Sequence, residues 1–154
     1  LTLDRVAAEA SVSKGGLLYH FPSKQALLEG MMQDLLSRSR ERLEDGRRAF
    51  DGDPRATIRS FVRAEAEQGP AERRMTSALI AAAAQDPKLI APARALFADW
   101  MRQVKAESDD GPLLMLACEG IRFLSMFDLL PGGARGQARL FRQLQQAAAQ
   151  GLGE

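Results

Sequence analysis

Lys14, Tyr19, His20 and Lys24 lie close together in a stretch, Ala10 to Leu28, that contains no acidic residue. Ammonium, imidazole and phenol groups donate hydrogen bonds, and a cluster of donors without carboxylates suits a phosphate backbone. Gly15 and Gly16 sit among them near a helix start. Glycine there costs a helix roughly 1 kcal/mol per position against alanine, but it lets another backbone come close. His20 is the only histidine. It has no neighbour of metal-ligand type, so neither a metal nor a cofactor is expected. Enzyme chemistry is not expected either: the chain has no nucleophile elbow, phosphate loop, HExxH or cysteine cluster. The acidic pair Asp109-Asp110 reads as a turn that caps a helix.

Those donors need elements to hold them. Thr2 is a helix cap, with Asp4 near the positive end that follows. Leu3, Val6, Ala7 and Ala10 recur at helical spacing, and Ser11-Val12 interrupts them. Ser13 caps a second short helix over Lys14 to Tyr19. Phe21 precedes Pro22, which disfavours helical geometry before it. Ser23 then caps a third helix that begins at Lys24. Helix, tight turn, helix, helix is the layout of a helix-turn-helix DNA reader.

The run VAAEASVSKGGLLYHFPSKQALL resembles the DNA-binding domain of TetR-type transcriptional regulators. Its Val12-Ser13 turn, Lys14-Gly15-Gly16 start, Leu18-Tyr19-His20-Phe21 and Ser23-Lys24 carry the likeness. The resemblance implies that Ser13 to His20, including Gly15, Gly16 and Leu17, enter the major groove. Thr2, Tyr19, His20 and Lys24 would hold phosphates, and Leu17 or Leu18 would be buried or touch a thymine methyl. The family usually has glycine where this chain has Ser11, a residue that tolerates a left-handed turn less well. The resemblance also implies a helix ahead of Thr2, with Leu1 the tail of the connection from it.

The chain has 154 residues and a formal net charge of +1. Nucleic-acid affinity must therefore come from a local patch and not from bulk charge. A single cysteine, Cys118, cannot form an internal disulfide and sits in an apolar run as a buried small residue. With no secretory signal at the start, a cytoplasmic location is expected. The longest apolar run, Leu113 to Leu130, contains Glu119, Arg122 and Asp128, so no membrane partner is expected. Nothing alternates with period two, and the composition suits an all-α protein.

Beyond the reading head, helices are expected over Lys24 to about Phe50, Ala56–Gln68, Ala71–Gln85, Lys88 to about Ser108, Pro112–Leu130 and Ala134–Gln150. Asp53 is expected to cap the second of these, with Pro54 in its first turn. The resemblance implies that residues 1–36 are an incomplete DNA-binding head and residues 37–154 a helical effector-binding and dimerisation domain. By the same resemblance, Phe61, Met75, Phe97, Trp100, Met101, Phe123 and Met126 are candidates for the wall of a pocket for a small apolar or amphipathic effector, the alternative being that they fill an ordinary core. Glu65, Gln68, Glu119 and Arg122 are the polar groups that would orient the effector. The helix of Leu113, Leu116, Ala117, Gly120, Ile121 and Leu124 is apolar around most of its circumference. With Leu140, Phe141 and Leu144 it would form a homodimer interface, a four-helix arrangement about a two-fold axis, the rival being the central core helix of a monomer.

The reading is a repressor that binds a near-palindromic double-stranded DNA operator and is released by a small-molecule effector. The alternative is a helical small-molecule sensor or protein-interaction module without DNA-binding activity.

Overall fold

Hydroxyl caps start the first three helices. Thr2 accepts from the Arg5 amide at α1 (Leu3–Glu9), Ser13 from the Gly16 amide at α2 (Lys14–His20), and Ser23 from the Ala26 amide at α3 (Lys24–Ala49). Each hydroxyl satisfies an amide that the helix's own ladder leaves open. The computed structural model describes residues 2–152, so Leu1 lies outside the described residues. Five further helices follow among them, and no strand: α4 (Ala56–Glu67), α5 (Pro70–Ala83), α6 (Ala91–Glu107), α7 (Gly111–Met126) and α8 (Gly133–Gln150).

Two of these helices end on a non-glycine residue in the left-handed region. Ser11 has φ 55° and Asp128 φ 54°. After α1 the Ser11 amide bonds to the Ala8 carbonyl and the Val12 amide to the Ala7 carbonyl. After α7 the Asp128 amide bonds to Ser125 and the Leu129 amide to Leu124. Both are the paired bonds of a Schellman close. The helix expected to run to Leu130 therefore stops at Met126, four residues early.

Other boundaries also differ from expectation. Asp53 does not cap α4. Its carboxylate accepts from the Arg55 amide at 2.8 Å and pairs with Arg59, which makes a turn of Asp53-Pro54-Arg55 ahead of the helix. The Arg55 amide bond holds the Asp53 carboxyl below its ordinary range. The helix expected from Lys88 begins at Ala91. Asp86 accepts the Lys88 and Leu89 amides in a turn before it, and Pro92 occupies the first helical turn. Asp110 precedes α7, but its side chain caps nothing there. It accepts from the Leu152 amide at 2.7 Å and pairs with Arg55 at 2.8 Å, clasping the end of α8 to the start of α4. Arg55 also donates to the Ala148 carbonyl at 2.7 Å.

The long α3 joins the head to the rest. In the head, α1, α2 and α3 bury Ala7, Leu17 and Leu27. The Phe21 ring lies on Gly30 of α3, where an added Cβ would fall 2.7 Å from Cε1. Further along, Gly46 faces Ser60 of α4, and a Cβ there would fall 2.8 Å from the Ser60 Cβ. Only glycine admits this crossing.

Two apolar clusters fill the larger part. One gathers Ile58, Phe61 and Val62 of α4 with Val104, Leu114, Met115, Cys118, Phe141 and Ala148. The other gathers Met32, Leu35 and Leu36 of α3 with Leu79, Leu89 and Leu96. Burying one such large side chain contributes about 1.5–3 kcal/mol. Trp100 packs against both clusters and marks the seam between them. Among the described residues, no helix is long and apolar enough to cross a membrane.

Candidate nucleic-acid interface and helical cavity

Lys14, Gly15, Gly16, Tyr19 and His20 are all exposed on α2. Nothing lies within 4 Å of where a Cβ on Gly15 would stand, so that face is open to a close-approaching surface. Gly16 instead uses its amide on the Ser13 hydroxyl at 3.0 Å. Tyr19 is 85 % exposed, with its ring edge-on to His20 at 5.1 Å, so it does not pack on the following helix. Thr2 and Lys24 are exposed at the starts of α1 and α3. The Thr2 and Ser13 oxygens accept cap bonds and keep their hydroxyl protons to donate. Leu17 is a correction: at 8 % exposure it faces into the head and does not reach a groove. A relationship not foreseen from sequence is the pairing of Lys14 with Asp4, Nζ to Oδ1 2.8 Å.

A cavity of about 370 Å³ lies among α3, α4, α5, α6 and α7. Among the aromatic and methionine candidates, Phe97 and Trp100 line it. Phe61 is buried behind Trp100, with ring centroids 5.6 Å apart. Met75 and Met101 pack into the two clusters and are not in the wall. Phe123 is 54 % exposed on the outer face of α7, beside Phe127, and Met126 lies in a separate groove with Arg74 and Ser77. Glu119 and Arg122 face the cavity, and Phe123, four residues after Glu119, stands about 40° from it on the side away from Arg122, at the edge where α7 turns outward.

All four polar candidates, Glu65, Gln68, Glu119 and Arg122, line this cavity. The α3 wall of Met32, Leu35, Leu36 and Ser39 was missed, as were Thr76 and Ile80 of α5. The signal was present as an apolar stripe at helical spacing, but a stripe does not say whether it meets side chains or space.

Arg122 Nε donates to Glu119 at 3.1 Å and lies 3.7 Å from Glu65 Oε2. Burial pushes the Glu65 carboxyl up to about 7, against the pull of Arg122 and with the push of Glu119. Burial would lower the Arg122 pKa, yet Glu119 and Glu65 hold it above the ordinary value. Arg42 of α3 and Glu72 of α5 form a second pair at 2.8 Å. Burial also pushes the Cys118 thiol up, which leaves it without thiolate character.

On α7 the outer face carries Leu113, Leu116, Gly120, Leu124 and Phe127, all exposed, with Ala117 half-buried. Ile121 and Phe141 are corrections to the expected interface, because both are buried in the first cluster. Leu140 and Leu144 are half-buried against that cluster.

An exposed glycine-opened helix behind a tight turn, carried on a long helix into a helical body with a cavity, defines a helix-turn-helix DNA-binding transcriptional regulator. Residues 1–31 match the family described as bacterial regulatory proteins, tetR family, and residues 55–149 match the description Tetracyclin repressor-like, C-terminal domain. The chain belongs to the TetR family. Neither a curated protein nor a solved structure matches it.

Proposed function

We propose that this regulator is a repressor that binds a near-palindromic operator as a homodimer and lets go when a small molecule enters the cavity between α3 and α6. The observation that carries the reading is the continuity of α3. Its first turn holds Lys24 beside the reading head, and its Met32, Leu35, Leu36 and Ser39 line the cavity. Residues 1–36 act as the head and residues 37–154 as the effector and dimerisation domain. The same helix serves both.

In the head, Lys14, Tyr19, His20 and Lys24 hold phosphates, with Thr2 and Ser13 donating their hydroxyl protons. Gly15 and Gly16 let α2 sit close in the major groove. The outer faces of α7 and α8 pair about a two-fold axis, which sets the two α2 helices about 34–36 Å apart on adjacent half-sites. A ligand that fits the cavity better in one arrangement of α3 and α6 than in another shifts this spacing. It shifts it by no more than its difference in affinity for the two.

Selection of bound fragments from a random DNA pool with the full-length protein tests the reading. Enrichment of one near-palindromic site, lost on Lys14→Ala or Tyr19→Ala, supports it. A folded dimer that enriches no site removes the operator and leaves a helical sensor.

A further inference from the structure

We propose that the ligand of the cavity is a lipophilic amine, its ammonium group against Glu65 and its hydrocarbon body between α3 and α6. This rests on the reading of that cavity as the effector site.

Glu65 is the group that asks for a partner. It is largely buried, with its side chain 15 % exposed, and it lines the cavity. Its Oε2 atom accepts no hydrogen bond. The nearest cation, Arg122, bonds Glu119 and reaches Glu65 only at 3.7 Å. Arg42, the next cation, is held by Glu72 at 2.8 Å. The trio of Glu65, Glu119 and Arg122 therefore keeps one carboxylate more than it can neutralise. Such a group takes up a proton or meets a positive ligand.

The remaining wall suits an organic cation. Trp100 and Phe97 line the cavity, and aromatic rings attract a cation most when it is desolvated. Met32, Leu35, Leu36 and Ile80 supply an apolar surface for the hydrocarbon part. Thr76, whose buried Oγ1 has no partner, and Gln68 line the same space and can accept from an ammonium group, which carries more than one proton to donate. An anionic ligand would find Arg94, an exposed residue of α6, and Arg122, already engaged by Glu119, and would face both Glu65 and Glu119. Burial raises the Glu65 pKa, so without a cationic partner its carboxyl takes up a proton. An entering ammonium group displaces that proton to solvent.

Trp100 is the only tryptophan of the chain and stands in the cavity wall, so its fluorescence reports occupancy. Phenylbutylamine, phenylbutanol and phenylbutyrate share one shape and differ in charge. The expected order is amine tightest, by about tenfold or more over the alcohol, and carboxylate weakest. In Glu65→Gln the amine should fall to within about twofold of the alcohol, and an unchanged alcohol affinity shows that the variant's cavity is intact. An alcohol that binds as tightly as the amine, or an amine preference that survives Glu65→Gln, overturns the amine and leaves the effector site standing. Absence of binding by all three probes overturns both.

Discussion

The Gln25 side-chain amide donates to the Asp86 carboxylate at 2.7 Å, joining the first turn of α3 to the turn between α5 and α6. The two residues are 61 positions apart in sequence. Gln25 follows Lys24, the cation at the edge of the reading head. Asp86 opens the turn that ends in Ile90, which lines the cavity. Under the proposed release by a ligand, a displacement of this turn would reach Gln25 through that hydrogen bond.

Replacing Gln25 by leucine keeps the bulk and removes the donor. Operator affinity without ligand should stay within about threefold, while the ligand's effect on that affinity should shrink by about fivefold or more, a loss of the order of 1 kcal/mol in coupling. Anisotropy of a labelled operator with and without ligand measures both. Full coupling in Gln25→Leu would place the transmission elsewhere on α3.

For Lys14, Asp4 competes with a DNA phosphate. The two side chains are 60 % and 69 % exposed, so the pair itself adds little to stability. Its consequence is for affinity. Asp4→Asn should tighten operator binding and steepen its salt dependence. Lys14→Ala should weaken binding and reduce the salt slope by about one. If both variants titrate with salt like the parent protein, Lys14 contacts no phosphate.

The head was legible in sequence because its signals are local. Thr2, Ser13 and Ser23 act through amides three residues away, and each cap formed as expected. The four polar residues named for the pocket line the cavity; Glu65, Glu119 and Arg122 are charges that stand out among apolar neighbours, whereas Gln68, an uncharged amide at the end of α4, has no such signal. The choice among aromatic and methionine residues was not legible. Phe97 and Phe123 look alike in sequence, yet one lines the cavity and the other lies on the outer face of α7. That difference is set by which neighbour each helix meets. Boundaries failed at Asp53 and Asp86, where a side chain redirected the backbone, and at Asp128, where the backbone itself turned left-handed, since an aspartate reads as a cap or a turn with equal ease.

Ser11 holds a conformation that costs an L-residue about 1–2 kcal/mol and glycine nothing comparable. Ser11→Gly should stabilise the head by about 0.5–1 kcal/mol after the added freedom of the unfolded chain is subtracted. Asp128→Gly should gain less, since aspartate tolerates this region better. Denaturant midpoints at unchanged slope measure both. A lower midpoint for Ser11→Gly would mean that the serine side chain contributes more than its strain removes.

Leu116 is 53 % exposed on α7, in a row with Leu113, Gly120 and Leu124. A charge there costs a monomer little and a dimer interface much. Leu116→Glu should give a folded monomer by light scattering, with operator affinity reduced by about a hundredfold or more because each half-site then binds alone. A Leu116→Glu dimer would move the interface off this face of α7.

Glu65 makes the stability of this protein depend on pH in a direction unusual for a carboxylate. Its ordinary value is 4.5, and burial raises it to about 7 in the folded chain. Between these values the folded state holds a proton that the unfolded state has released, so stability falls as pH rises through that window. The contribution is complete below the lower value and gone above the upper one. At ~1.4 kcal/mol per unit it amounts to a few kcal/mol at most. Arg122 and Glu119 of α7, Arg42 of α3 and Glu72 of α5 face the same carboxyl, and Arg94 of α6 lines the same cavity. Comparison with Glu65→Gln cancels what these neighbours contribute on their own. Denaturant titrations of both proteins from acid to mildly basic pH should therefore diverge steadily, with the glutamine variant gaining on the parent as pH rises and the difference levelling off above neutrality. Parallel curves would mean that Glu65 stays ionised in the empty cavity, satisfied by Arg122 across 3.7 Å.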